Sequence, residues 1–235
     1  MSDAKVLVAG SNRSNKSISL IEVTIDGSAA TFEHIKNVSL DLDDPYGLCS
    51  AKIRGTPTIF VGDKDGNVQH WTVTTDYAAT LSATTKFETQ TEGCVVDTAA
   101  NVLFVGEEEV GIWALDLLTG DRQLFAAVDG ETLFADVEGL DLYEARGEKY
   151  LIASSQGDNT YVRYPLSSPG EPVKFEIGAN WRDSIDGASE TDGLAVYSKP
   201  LPGYPAGILV VQDGHNVLPA ENQNFKIVDL RAIDD

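Results

Sequence analysis

Short apolar runs separated by turn-forming residues recur along the whole chain, and helical periodicity is weak throughout. After Glu92-Gly93 the sequence alternates an apolar run (94–96), a turn (97–101), a second run (102–105) and an acidic turn (107–109). A third run (111–115), the turn Thr119-Gly120-Asp121 and a fourth run (123–128) follow. The preceding stretch shows the same order, with residues 58–61, the hairpin dipeptide Asp65-Gly66 and residues 68–73. Further along, residues 150–153 are followed by 161–165, and 207–211 by 225–228. Each group predicts a small antiparallel sheet. The chain reads as all-β.

A second pattern sits on top of the first. An oxygen-bearing side chain, a glycine and an apolar residue recur at Tyr46-Gly47-Leu48, Glu92-Gly93-Cys94, Glu138-Gly139-Leu140 and Asp192-Gly193-Leu194, spaced 46, 46 and 54 residues apart. A period near 45 filled with strand-like sequence predicts a β-propeller, in which each mark opens the innermost strand of a blade. Apolar runs suited to second strands number five (5–8, 58–61, 102–105, 150–153, 207–211), whereas the marks number four. The expectation is a single propeller domain over residues 1–235 that is N-terminally incomplete, with about four and a half blades. An open ring leaves strand edges unpaired. The reading is therefore a truncated chain, or one completed by another polypeptide.

Composition narrows the function classes. Asp and Glu total 37 against 17 Lys and Arg, a formal net charge of −20. That balance argues against nucleic acid and anionic membranes as partners, and a polyanionic substrate would need cations in between. Cys49 and Cys94 lack CxxC spacing and a His-rich context, so zinc and thiol redox chemistry are disfavoured; whether they are bridged stays open. Residues 1–20 lack a basic segment followed by an apolar core, and no apolar run approaches a membrane span.

If the units are equivalent, Tyr46, Glu92, Glu138 and Asp192 face one another at one end of a central channel, with Asp136 on the face of Glu138. Mirroring each hairpin about its turn sets Glu92 opposite about Glu108, Tyr46 opposite Asp63 and Lys64, Glu138 opposite Gln156, and Asp192 opposite Asp213. Converging carboxylates repel unless they protonate or bind cations. An all-oxygen set suits a hard ion, Ca²⁺ before Mg²⁺. Arg13 and Lys64 sit at the same phase of their units and are suited to gripping phosphate or carboxylate oxygens. There is no GxSxG, Walker loop or HExxH, and the loop from Asp63 fails as an EF-hand because Thr74 stands where a bidentate Glu is required.

Taken in order, Ser11-Asn12-Arg13-Ser14, Tyr46-Gly47, Thr91-Glu92-Gly93, Glu107-Glu108, Asp136-Val137-Glu138-Gly139-Leu140, Ala153-Ser154-Ser155-Gln156-Gly157, Thr191-Asp192-Gly193, Gln212-Asp213-Gly214 and Asn222-Gln223-Asn224-Phe225-Lys226 resemble the β-propeller phytases. The resemblance runs from about Val6 to Ile233. It implies a six-bladed, calcium-dependent 3-phytase that hydrolyses myo-inositol hexakisphosphate by metal-activated water. Tyr46, Glu92, Glu108, Asp136, Glu138 and Gln156 match residues that hold the catalytic calcium ions. Arg13 matches a phosphate-binding arginine, and Lys64 a phosphate-binding lysine, unless Asp63 takes that slot in a loop one residue longer. Asp186, Gly187 and Asp213 match ligands of a structural calcium, with His215 where that site often has an acid; Asp192 lies nearer this segment. The family's first blade and the inner strand of its second have no counterpart. Family members are exported, so a secreted or periplasmic protein is expected, although the chain shows no signal peptide. Two other readings stand beside this one: a non-catalytic calcium-binding recognition module, and another metal-dependent propeller hydrolase such as a lactonase.

Overall fold

In the computed structural model, which describes residues 4–167 and 170–234, strands account for nearly all regular structure. They form five small antiparallel sheets of propeller-blade type. The first holds β1 (Ala4–Asn12), β2 (Ser17–Asp26) and β3 (Ala29–Ser39), and the second β4 (Pro45–Ile53), β5 (Thr56–Asp63), β6 (Asn67–Val73) and β7 (Ala79–Lys86). The third holds β8 (Thr91–Asp97), β9 (Val102–Glu107), β10 (Gly111–Asp116) and β11 (Arg122–Ala127). The fourth comprises β12 (Val137–Ala145), β13 (Glu148–Ser155), β14 (Thr160–Pro165) and β15 (Val173–Phe175), and the fifth β16 (Leu194–Tyr197), β17 (Ile208–Asp213) and β18 (Asn224–Asp229). No helix among the described residues is long and apolar enough to cross a membrane.

Local sequence explains the hairpins. Arg54-Gly55 and Arg146-Gly147 each join two strands through residues of positive φ (48° and 86°, then 52° and 83°), a two-residue turn whose twist matches the strands it connects. The five runs assigned to second strands fall on β1, β5, β9, β13 and β17. β5, β9 and β13 are buried along most of their length, as expected of strands covered on both faces. The outer strands β7 and β11 are largely exposed, and β7 is mostly polar.

The chain divides into two compact units, Met1–Glu92 and Gly93–Asp235, the division falling inside β8. In the first unit, Ile18, Leu20, Val38, Leu40, Leu42, Ile59, Val61 and Val73 form a core between the first two sheets. In the second, Phe104, Ile112, Leu140, Leu151 and Val162 pack between the third and fourth sheets, and Tyr161, Leu209, Val211 and Leu230 between the fourth and fifth. The indole N–H groups of Trp71 and Trp113, both on third strands, donate to Gln69 and Glu107, so these rings belong to the sheets. Neither cysteine is free.

The marked glycines allow neighbouring inner strands to approach backbone to backbone. A Cβ on Gly47 would lie 1.7 Å from the carbonyl oxygen of Glu92, and one on Gly93 2.0 Å from that of Glu138. One on Gly139 would lie 2.6 Å from the amide nitrogen of Leu194. Gly193, the last of the series, has nothing within 4 Å. No side chain larger than hydrogen fits the first three positions.

Gly93→Ala is therefore expected to destabilise the fold by roughly 1–3 kcal/mol, as overpacking against backbone does, while Gly193→Ala stays close to wild type. Urea unfolding of the two variants checks this. Equal stabilities would show that the close approach is dispensable.

Candidate metal and anion site

Each mark opens an inner strand, and two of them sit in irregular pairing. Register shifts between Pro45 and Leu48, which flank Tyr46-Gly47, and between Val137 and Leu140, which flank Glu138-Gly139. Such bulges re-aim side chains locally. Because of them, residues in these two hairpins face one another only approximately as mirroring about the turn predicts. Pro45 pairs with Asp63, so Tyr46 does reach Lys64; the Lys64 ammonium lies 5.0 Å from the Tyr46 ring centroid. Val137 pairs with Ser155, and it is Asp136, not Glu138, whose carbonyl accepts from the Gln156 amide at 3.0 Å. Regular pairing of β16 and β17 ends at Leu194 and Val211, and beyond it the Gln212 amide donates to the Gly193 carbonyl while its side chain accepts from the Asp192 amide.

Three carboxylates converge. Glu92 is the residue at which the division into units falls, and it stands on β8, the inner strand of the third sheet. One carboxylate oxygen each from Glu92, Glu138 and Asp192 lies within 4.8 Å of the others, with Glu138 buried and the other two half-buried. Asp192 lacks a regular strand to fix it, so neighbouring groups do so. Its carbonyl accepts from the Gly139 amide at 3.3 Å and its amide donates to Gln212 Oε1 at 3.2 Å. The Ser154 hydroxyl donates to the Thr191 carbonyl at 2.6 Å, tying the segment to β13. The Thr191 hydroxyl, fully buried beside Asp192, has no hydrogen-bond partner among the described residues. Three carboxylates with no nitrogen or sulfur donor form a set that fits a hard, oxygen-seeking cation.

The other residues expected at the centre lie in adjoining turns and strand ends. Glu108 lies in the turn between β9 and β10, half-buried, and its carbonyl accepts from the Val137 amide at 3.2 Å. Its neighbour Glu107 is fully buried and accepts from the Trp113 indole at 2.7 Å. Asp136 and Gln156 are joined through backbone next to Gly157, whose Cβ position would lie 1.8 Å from the Ala135 carbonyl. Asp192, which the resemblance sets nearer the structural-calcium segment, lies with Glu92 and Glu138 as its repeat phase predicts. The residue-glycine mark was the signal that grouped them.

A positively charged pair forms within the first unit. The Arg13 guanidinium carbon lies 4.7 Å from the Tyr46 ring centroid, on the ring that Lys64 also faces. Both cations share Asp44, a residue that sequence reasoning missed because it lies outside the mark. Arg13 Nε and Nη2 donate to its two oxygens at 2.8 and 3.0 Å, and Lys64 Nζ stands 3.9 Å away. The hydrogen bond to Asp44 is the main cause raising the Arg13 pKa, with smaller contributions from the charges of Asp44, Tyr46 and Glu92. Asp44 is lowered in return, chiefly by the same bond. Asp63 does not compete with Lys64 for the outward role, since its buried carboxylate accepts from the Asn67 backbone and side-chain amides, both at 2.7 Å.

Asp186 and Asp213 also come together, around an ammonium. Buried Lys226 donates to Asp186, lies 3.0 Å from Asp213 Oδ2 and donates to Asn216 Oδ1 at 2.9 Å. Asp186 further accepts from the amides of Val217 and Leu218, and Asp213 from that of Ser189. Gly187 packs against the Ile177 carbonyl. Lys226 thus places a positive charge between two of the residues that the resemblance assigns to a structural calcium. The Lys226 hydrogen bond, then the two amides, hold the Asp186 pKa at about 2.

A carboxylate with a depressed folded-state pKa stabilises the fold above its ordinary pKa of 3.8 and loses that contribution as pH falls toward about 2. Asp186→Asn should lower stability at pH 5 and flatten its decline between about pH 4 and 2. Thermal unfolding of both proteins across that range checks it; parallel curves would show that the Asp186 charge contributes nothing.

Comparison with known proteins places these observations. The phytase family profile matches residues 2–235. A 3-phytase of Bacillus subtilis (strain 168) is 34% identical over 245 residues, covering 97% of this chain and 64% of the relative's length. The chain thus spans less than two thirds of that relative. Among solved structures, Sqt1 from Chaetomium thermophilum is similar with a TM-score of 0.57 at 11% identity, over 96% of this chain and 53% of that one. A functionally unknown protein from Desulfotomaculum acetoxidans DSM 771 gives 0.56 at 10% identity, over 97% and 66%. These structural likenesses show the fold alone.

Proposed function

Because this chain belongs to the phytase family, we propose that it is a calcium-dependent phosphomonoesterase releasing phosphate from myo-inositol hexakisphosphate. The observation that carries the reading is the presence of two oppositely charged sites in one chain. A carboxylate cluster at Glu92, Glu138 and Asp192 suits a hard cation, and Arg13 and Lys64 sit over Tyr46, with Glu92 close enough to act on the charge of Arg13. The 3-phytase relative supports the substrate. The five sheets are read as blades of the six-bladed ring that the resemblance implies, and a secreted or periplasmic setting goes with the same family reading.

The chain's own residues divide the work. Arg13 and Lys64 bind phosphate oxygens, the guanidinium through its paired N–H edge and the ammonium as a point charge, and Tyr46 supplies the surface that orients both. Glu92, Glu138 and Asp192, with Glu108, Asp136 and Gln156 in the adjoining turns, would hold calcium. Bound there, calcium supplies Lewis acidity toward phosphoryl oxygens and water. With a formal charge of −20 the chain repels a polyanion over most of its surface, so Arg13 and Lys64 orient the phosphate that reaches the site. Water is the nucleophile in this reading. A neutral ester would not need the two cations, which sets the phosphatase ahead of the lactonase.

Glu138→Gln keeps the shape of the buried acid and removes its charge. It is expected to lower phosphate release from phytate by about 10²-fold or more, on the scale of lost electrostatic stabilisation. Wild-type release is expected to stop on chelation and return with added Ca²⁺. Inorganic phosphate measured with and without chelator checks both. Calcium binding without release would identify a recognition module, and release indifferent to chelation would remove the metal from the mechanism.

A further inference from the structure

The two cations read as phosphate-binding already carry an oxyanion from the chain itself. Asp44 presents both carboxylate oxygens to Nε and Nη2 of Arg13, the edge of a guanidinium that a phosphate also engages. The same carboxylate draws Lys64 to 3.9 Å. Asp44 immediately precedes Pro45, which pairs with Asp63, so Asp44 is anchored beside the turn that bears Lys64. Its side chain is 36% exposed and that of Arg13 50% exposed, which leaves the carboxylate able to swing into water instead of being stranded when another anion takes its place. Its neighbour Asp43 pairs with Lys16 at 2.8 Å and does not share Arg13 or Lys64 in this way.

We propose that Asp44 is a positioning and specificity-determining residue that stands in for phosphate on Arg13 and Lys64 and must be displaced when phosphate binds. The inference rests on the reading of those two cations as the phosphate-binding pair. Its consequence is selectivity. A singly charged oxyanion offers Arg13 and Lys64 no more than Asp44 already does, at the entropic disadvantage of an intermolecular partner. A doubly charged phosphate monoester offers more charge and a third oxygen, and so exchanges with Asp44.

The test is calorimetric titration of inorganic phosphate, and separately of acetate, into the whole chain without added divalent cation. Asp44→Asn is expected to bind phosphate about two- to fivefold more tightly than wild type, the range set by exposed ion pairs, and to gain measurable acetate binding. Asp44→Ser should shift in the same direction, and circular dichroism confirms that each variant is folded. Unchanged or weaker phosphate binding in both folded variants overturns the proposal, because a residue that merely braces Arg13 and Lys64 would weaken anion binding when removed. Arg13→Gln should weaken phosphate binding in wild-type and Asp44→Asn backgrounds alike. If it does not, the anion site itself has been misread, an outcome separate from failure of the Asp44 competition. In phytate hydrolysis with calcium, Asp44→Asn should lower KM, and a raised KM counts against the proposal.

Discussion

The close approach of inner-strand backbones at the marked glycines is the constraint on which the rest depends. Gly47 admits the Glu92 carbonyl, Gly93 the Glu138 carbonyl, and Gly139 the Leu194 amide, at separations that exclude any Cβ. Each contact sets the residue beside one glycine against the residue beside the next. The oxygen-bearing side chains are gathered as a consequence of how backbones pack, before any favourable interaction among them. This matters because gathering carboxylates is electrostatically unfavourable. The unfavourable term is imposed by the apolar cores between sheets and by strand pairing, which hold the strands together regardless.

Charge is handled differently at each cluster. Lys226 gives Asp186 and Asp213 an internal counter-cation, and backbone amides from Ser189, Val217 and Leu218 complete the carboxylate shells. That arrangement is closed and structural. Arg13 and Lys64 are balanced by Asp44 at an exposed position, where exchange with solvent anions costs little. The Glu92, Glu138 and Asp192 cluster brings three acids together, a donor set suited to a hard cation. The three sites thus differ in make-up: two acids around one cation, two cations on one acid, and three acids brought together.

Much of this was legible in advance. Apolar runs and turn dipeptides specify strands and hairpins because both depend on residues close in sequence, and all five second strands fall where those runs lie. The residue-glycine mark identified Tyr46, Glu92, Glu138 and Asp192 as one equivalent set. What the sequence did not disclose are the bulges at Tyr46-Gly47 and Glu138-Gly139. A bulge is a compromise between two strands and leaves no local composition signal beyond a glycine. By re-aiming side chains, it turned the simple mirroring of hairpins into an approximation, so Gln156 meets Asp136.

By itself, then, the sequence determined the sheet composition, the phase of each unit and the acidic, all-oxygen character of the candidate metal site, because strand periodicity and glycine placement are local properties. The tertiary structure decided which oxygens meet. It brought Asp192 to Glu92 and Glu138, turned Asp213 away toward Lys226, and placed Asp44 on Arg13 and Lys64. Those choices depend on contacts between residues 13 to 100 positions apart. A carboxylate's partner there is set by backbone packing around it, not by its neighbours in the chain.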